Sequence, residues 1–312
     1  MPNAIMEKQL LKNKIFKRLN KYVEETRFKG DLVHDITLSD FYNIIADKTF
    51  EPVFVLSTGR TGTSFLTLLL NKSKEVSVFH SPEKLLFNSK SELSYQSKIV
   101  YGHYSRNGIN VEGNELIGQI YLSNRLELLY NCYRFGKTFI ETNNRISFFA
   151  PALFHLFPKA KFIFVHRHPG DFVRSGIRRS WYTLTDPQSE SRIYPSDSDV
   201  CFEKWGDFSQ LERISWLWNS TNKFILEFLG KLPRSQVFTF NFSSLNPSTM
   251  RELLTFIKIS DLSPDIIEKQ IEIPRNVQRK NIYPEYPNWD RKDKELLGAI
   301  CGELCDELGH KL

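Results

Sequence analysis

The sequence has few cysteines, and none of them forms a CxxC pair. Its 312 residues include four, of which Cys301 and Cys305 lie four positions apart, the spacing of neighbours on one helix face. This pattern argues against a zinc site or a framework of disulfides. We therefore predict buried thiols and no bound metal.

Long apolar runs are also missing. No stretch approaches the ~18 apolar residues of a membrane-spanning helix, and the N-terminus lacks the apolar segment of a signal peptide. We therefore predict a cytoplasmic protein without a transmembrane segment. Residues 5–28 instead show apolar positions at roughly helical spacing among lysines. They predict an amphipathic helix, in an extension over residues 1–50, that packs on its own domain rather than on a membrane.

A strong excess of charge is absent as well. The chain has 42 Lys and Arg against 36 Asp and Glu, a formal charge of +6. So mild an excess suits anionic small molecules and does not predict nucleic acid as a partner.

Short β-rich runs alternate with helical stretches from residue 52 onward. At least 18 residues separate consecutive runs, which suits crossover helices between parallel strands rather than hairpins. We predict an α/β fold over residues 51–312, with a doubly wound, mainly parallel sheet flanked by helices. Ligands bind such sheets beyond the carboxyl ends of the strands. The runs are VFVLS (53–57), VSVFH (76–80), TFIET (138–142), KFIFVH (161–166) and VFTFNF (237–242).

A stretch rich in Ser, Pro and Asp, residues 183–210, interrupts this alternation and predicts a long loop or lid. Aromatic residues in and near it suit either the wall of an acceptor site or a core. They are Trp181, Tyr182, Tyr194 and Trp205.

The turn after the first run predicts an anion site. Gly59 and Gly62 let the backbone N–H groups converge on an oxyanion, next to a helix N-terminus with its partial positive charge. Arg60 adds a permanent cation, and Thr61, Thr63 and Ser64 add hydroxyl donors. The pattern G-x-x-x-x-G-K-[ST] is absent, which disfavours an ordinary ATPase or GTPase. A plain connection between strand and helix is the alternative.

A second anion site is predicted after the fourth run. Arg167 lies at the carboxyl end of that strand, and Ser175 follows on the next helix, with Asp171 as a candidate N-cap. Each residue alone suits a structural role. Together with the first turn, they predict a ligand phosphorylated at both ends.

With these two segments, the sequence resembles the sulfotransferases that use 3′-phosphoadenosine 5′-phosphosulfate (PAPS). The resemblance spans roughly residues 50–312 and implies the P-loop-like fold of that family. Arg60 is more like the carbohydrate-modifying and bacterial branches than the cytosolic branch, which usually has Lys there. Phe65 stands where a tryptophan is usual. The implied 5′-phosphosulfate residues are Ser57, Thr58, Gly59, Arg60, Thr61, Gly62, Thr63, Ser64 and Phe65, and the implied 3′-phosphate residues are Arg167, Ser175, Arg279 and Lys280.

The resemblance also implies the reaction, which transfers a sulfuryl group to a hydroxyl or amine of a small-molecule or carbohydrate acceptor and releases 3′,5′-ADP. Arg60 would stabilise the departing oxygen without a metal. Glu83, just past the second run, is the first candidate for the base, and His103 is the second; His80 lies close to Glu83 in sequence. Asn143 and Asn144 suit either the acceptor or a turn.

Two other functions fit the same anion sites. One is a phosphotransferase of similar fold, which needs Mg²⁺ and usually a Walker lysine. The other is a catalytically silent module that binds nucleotides or sulfated glycans.

Overall fold

The computed structural model describes residues 37–47, 49–80, 92–109, 113–273 and 283–312. The helix predicted over residues 5–28 lies outside them, as do Glu83, Arg279 and Lys280. The division into an extension and a domain stays a prediction.

Five strands form one sheet in the order β2-β3-β1-β4-β5, and every pair is parallel. This confirms the doubly wound α/β fold. Four of the five predicted runs extend one residue past the observed strand, and the surplus residues lie at the carboxyl edge, where ligands of such sheets bind. The strands are β1 (Val53–Leu56), β2 (Val76–Phe79), β3 (Thr138–Glu141), β4 (Lys161–His166) and β5 (Val237–Asn241).

Helices fill the connections between the strands. None in the described part of the chain is long and apolar enough to cross a membrane. The helices are α1 (Leu38–Ala46), α2 (Thr63–Leu70), α3 (Glu92–Asn107), α4 (Asn114–Arg134), α5 (Ala150–Leu156), α6 (Pro169–Ile177), α7 (Gln210–Leu229), α8 (Pro247–Phe256), α9 (Pro264–Glu272) and α10 (Arg291–Glu307).

The two faces of the sheet bury different side chains, because successive residues of a strand point in opposite directions. On β1, Phe54 and Leu56 join an aromatic core with residues of α4, α5 and α7. Val53 and Val55 face the other way, into an aliphatic core with residues of α2, α8 and α9. Full burial of each such side chain contributes roughly 1.5–3 kcal/mol, so both faces hold the strand in place.

The long loop ends at a capping box that starts α7. The Ser209 hydroxyl accepts from the backbone N–H of Glu212, and the Glu212 carboxylate accepts from the backbone N–H of Ser209 at 2.8 Å. Residues 183–209 contain one 3-10 turn, Ser189–Ser191, and are otherwise irregular. The loop's role as a lid stays a prediction.

The cysteines are free thiols. Cys301 and Cys305 are both buried on α10, as their spacing predicted. Within the described ranges no cluster of His, Cys, Asp and Glu could hold a metal.

A buried ion pair ties the end of β3 to α4. Arg125 donates from Nε and Nη2 to the carboxylate of Glu141, with the shortest contact at 2.8 Å, and both side chains are fully buried. The hydroxyl of Tyr121 donates to Oε2 of the same carboxylate at 2.8 Å. Glu141 directly precedes the chain segment that forms part of the candidate site.

Three histidines hold the C-terminus beside the end of β4. Nδ1 of His166 lies 2.9 Å from Nε2 of His310. His168 accepts from the N–H of Gly170 at Nδ1, so its Nε2 carries the proton and donates to the carbonyl of Lys311 at 2.9 Å. Burial, with the charge of His310 second, lowers the pKa of His166 to about 4. Burial, with His168 second, lowers the pKa of His310 to about 4, although Asp171 opposes this.

These lowered pKa values predict a loss of stability in acid. Between pH 6.5 and about 4, the two histidines bind protons in the unfolded chain but stay neutral in the folded protein. The free energy of unfolding therefore falls as the pH falls. Each histidine contributes up to about 3 kcal/mol to this change. Melting temperatures of wild type and His310→Gln between pH 7 and 4.5 check it, because the variant should show the shallower decline. Identical slopes would contradict it.

Candidate active site

The loop between β1 and α2 adopts left-handed backbone conformations at three positions. Gly59, Arg60 and Gly62 have φ values of 79°, 60° and 89°. A Cβ at Gly62 would lie 2.0 Å from the ring of Phe242, so close packing as well as conformation requires glycine there. Helix α2 begins at the next residue and points its N-terminus at the same place.

Ser147 fixes the start of this loop. Its hydroxyl accepts from the backbone N–H of Ser57 and donates to the carbonyl of the same residue, both at 3.0 Å. The Ser57 hydroxyl in turn accepts from the N–H of Gly59 at 3.1 Å. These bonds hold the loop in its shape, and the sequence analysis did not single out Ser147.

The adjacent asparagines after β3 have different roles. The Asn143 side chain accepts from the N–H of Arg145 at 3.1 Å and so caps the 3-10 helix Asn144–Phe149. The Asn144 carboxamide lies against the loop, because a Cβ at Gly59 would be 3.0 Å from its Cγ and Nδ2. Asn143 therefore has the turn role, and Asn144 borders the candidate anion site.

Thr61 supplies a buried donor to the loop. Its side chain is 1% exposed, and its hydroxyl has no hydrogen-bond partner among the described residues. A buried hydroxyl without a partner costs about 1–3 kcal/mol, so this position favours a ligand that accepts a hydrogen bond.

The two predicted anion sites meet at Ser175 on α6. Arg60 donates from Nε to the Ser175 hydroxyl at 3.2 Å, and Arg179 donates from Nη1 to the same oxygen at 2.8 Å. Arg167 reaches the carbonyl of Arg60 at 3.5 Å. The sequence did not single out Arg179, although it lies only four residues after Ser175.

The result is a concentrated positive charge. Burial, followed in order of effect by the charges of Arg179, Arg178 and Arg167, lowers the pKa of Arg60 to about 10. Asp171 pairs with Arg167 at 3.0 Å. The prediction that Asp171 is the N-cap of α6 is wrong, because the His168 side chain caps this helix. This cluster of guanidinium groups around Arg60 favours a polyanionic ligand.

A chain of hydrogen bonds runs along the carboxyl edge from β2 to α2. Nε2 of His80 lies 3.2 Å from the Ser64 hydroxyl. Nδ1 of His80 lies 3.1 Å from the Thr142 hydroxyl and 3.3 Å from the Thr142 carbonyl. The structure thus brings His80 to the predicted anion loop, although Glu83 was the first candidate for the base from the sequence.

His103 lies elsewhere. It is on α3, where Asn107 donates to its carbonyl at 2.8 Å, and its ring stands edge-on to Tyr104. Its Nε2 is 2.8 Å from where a Cβ at Gly113 would be. Its contacts among the described residues are on α3 and at the start of α4, not at the loop.

Three of the remaining aromatic candidates are packed inside the protein, whereas Tyr194 is exposed and Trp205 is partly buried. Phe65 is 6% exposed and meets Phe242 edge-on. Trp181 and Tyr182 are buried, and the Tyr182 hydroxyl donates to the carbonyl of Ile193 at 2.8 Å. Of the two roles proposed for the aromatic residues of the long loop, these contacts favour the core for Trp181 and Tyr182.

The family follows from a match over most of this architecture. The model of the sulfotransferase family matches residues 52–261, which is more than half of the chain and includes both anion segments. The chain belongs to the sulfotransferase family. No curated protein matches it.

A solved sulfotransferase structure shows the same fold, and a second is similar over most of its length. Sulfotransferase STF9 from Mycobacterium avium is 14% identical with a TM-score of 0.53, and the match covers 88% of this chain and 81% of that one. The sulfotransferase from Alicyclobacillus acidocaldarius is 16% identical with a TM-score of 0.45, over 84% of this chain and 97% of that one. The first of these supports the fold, and the family match carries the assignment.

Proposed function

We propose that this sulfotransferase uses PAPS to transfer a sulfuryl group to a hydroxyl or amine of a small-molecule or carbohydrate acceptor. The observation that carries the proposal is the contact between Arg60 and Ser175 at 3.2 Å. It joins two segments that the sequence predicted separately as anion sites. A nucleotide with phosphate groups at both ends suits a site of this kind.

The described residues fit such a ligand. The unpartnered Thr61 hydroxyl, the N–H groups of the loop and the N-terminus of α2 would hold the 5′-phosphosulfate. Arg167 and Ser175 would hold the 3′-phosphate, with Arg279 and Lys280 completing that site by resemblance. PAPS supplies a sulfuryl group that is activated by its bond to the 5′-phosphate.

The chain itself supplies position and charge. Arg60 would stabilise negative charge on the oxygen that leaves, and as a guanidinium it stays protonated throughout. Asn144 borders the loop and would orient the group in transfer or its acceptor. Glu83 and His103 stay the base candidates that the sequence predicts.

The acceptor would enter beside the long loop. That loop lies against α3, where Ser198 donates to the carbonyl of Ser105 at 3.0 Å, and against the 3-10 helix after β3, where Arg145 donates to the carbonyl of Ser191 at 3.1 Å. The contact with Arg145, the residue after Asn144, supports an acceptor path along this loop. A cytoplasmic location and the absence of nucleic-acid partners stay predictions.

Binding of 3′,5′-ADP tests the nucleotide assignment. Wild type should bind it about 10- to 150-fold more tightly than AMP, because charge-assisted hydrogen bonds to the 3′-phosphate contribute roughly 1.5–3 kcal/mol. Arg167→Ala should remove most of this preference in calorimetry. Arg106→Ala is the matched control, because Arg106 is exposed and pairs with Asp197. Equal wild-type affinity for both nucleotides would contradict the assignment.

A transfer assay separates the rival functions. With labelled PAPS and a panel of hydroxyl and amine acceptors, we expect transfer to persist in EDTA, since Arg60 and backbone donors take the part that Mg²⁺ plays in phosphoryl transfer. Strict dependence on Mg²⁺ would favour the phosphotransferase. Tight binding of 3′,5′-ADP with no turnover would favour the silent module.

A further inference from the structure

We propose that His80, acting through Nε2, is the base that takes the proton from the acceptor. The inference rests on the proposed function and adds to it the residue that removes the proton. Its basis is the hydrogen-bond chain at the edge of the sheet, which fixes the tautomer of the ring.

Two neighbours require the proton on Nδ1. The Thr142 carbonyl, 3.3 Å away, can only accept. The Thr67 hydroxyl donates to the carbonyl of Thr63 at 2.9 Å, so in its 2.7 Å contact with Thr142 it must accept. The Thr142 hydroxyl therefore donates its proton to Thr67, or to the Phe79 carbonyl at 3.3 Å. Toward Nδ1 of His80 it can only accept.

Nε2 consequently carries a lone pair. It accepts a hydrogen bond from the Ser64 hydroxyl at 3.2 Å. A neutral imidazole with its lone pair at the anion loop is the form that a general base requires. The Ser64 hydroxyl, the Thr142 hydroxyl and the Thr142 carbonyl contact this ring, and none of these three groups titrates near neutral pH.

Anion binding changes this arrangement. Ser64 has a single hydroxyl proton and cannot donate it both to Nε2 and to a phosphosulfate oxygen. When it donates to the anion, Nε2 stays in place as an acceptor within 3.2 Å of an oxygen that holds the anion. The acceptor hydroxyl can then replace Ser64 as the donor to Nε2.

The proton balance follows directly. Nε2 takes the proton as the acceptor oxygen forms its bond to sulfur, and the bond from sulfur to the 5′-phosphate oxygen breaks. That oxygen keeps the electron pair, and 3′,5′-ADP is the other product. The imidazolium keeps its Nδ1 hydrogen bonds to Thr142 and returns the proton to water.

His80→Gln tests the role, because glutamine keeps a hydrogen-bonding group near Nε2 but does not titrate. With labelled PAPS, we expect release of sulfate to water and transfer to the acceptor panel to fall about 10²- to 10⁴-fold. The affinity for 3′,5′-ADP should stay within a few-fold of wild type. The acid limb of the pH profile of turnover, present in wild type, should disappear.

His155→Gln is the matched control, since His155 is an exposed histidine on α5 and should leave turnover unchanged. Near-normal turnover of His80→Gln with the acid limb intact would overturn the assignment. So would loss of the limb in Glu83→Gln instead, which would make Glu83 the base. Loss of 3′,5′-ADP binding in His80→Gln would reduce His80 to a residue that positions Ser64. If wild type itself fails to bind 3′,5′-ADP, the proposed function fails and this inference with it.

Discussion

Replacing Arg60 by alanine is expected to lower turnover about 10²- to 10³-fold, the usual effect of removing one preorganised donor to developing negative charge. The loss should fall mainly on turnover, because charge on the departing oxygen grows only as the bond to sulfur breaks. Steady-state rates with labelled PAPS, together with 3′,5′-ADP affinity, measure both effects.

Two further variants define what Arg60 contributes. Arg60→Lys keeps the charge but loses the fork of donors and the bond from Nε to Ser175, so we expect partial activity. Arg178→Ala removes a neighbouring positive charge that contributes to the lowered pKa of Arg60. Because the structure gives Arg178 no hydrogen bond to Ser175, its loss should change turnover much less. Equal losses in Arg60→Ala and Arg178→Ala would indicate a general effect of charge instead.

Replacing Glu141 by alanine is expected to lower the free energy of unfolding by about 3–5 kcal/mol, because it leaves a buried guanidinium without its carboxylate. Arg125 and Glu141 are each at most 1% exposed. Urea or thermal unfolding of the variant measures the loss.

The double variant Arg125→Met, Glu141→Leu is the control. Replacing both charges with apolar groups of similar size is often close to neutral, so the double variant should be more stable than Glu141→Ala. A double variant as unstable as the single one would show that packing, rather than the unpaired charge, explains the loss. Because Thr142 and Asn144 follow Glu141, activity should fall along with stability in the single variant.

The sequence by itself determined the sheet and its ligand edge. Runs such as KFIFVH are apolar at consecutive positions, which suits strands covered on both faces, and the spacing between runs requires crossover helices. Parallel strands end at one edge, so Arg60 and Arg167 could be assigned to that edge from their places after two runs. The sequence also predicted the role of the turn glycines, which tolerate positive φ. Gly59 and Gly62 both have positive φ in the structure.

Only the tertiary structure decided which side chains meet at that edge. Ser147 binds the backbone of Ser57 across 90 positions of sequence, and Arg60 reaches Ser175 across 115. His80 was one of several polar residues after a strand until its contacts with Ser64 and Thr142 distinguished it from His103. Periodicity reports the face on which a residue lies. A hydrogen bond depends on distances of a few tenths of an ångström between distant segments, and packing of the whole domain sets those distances.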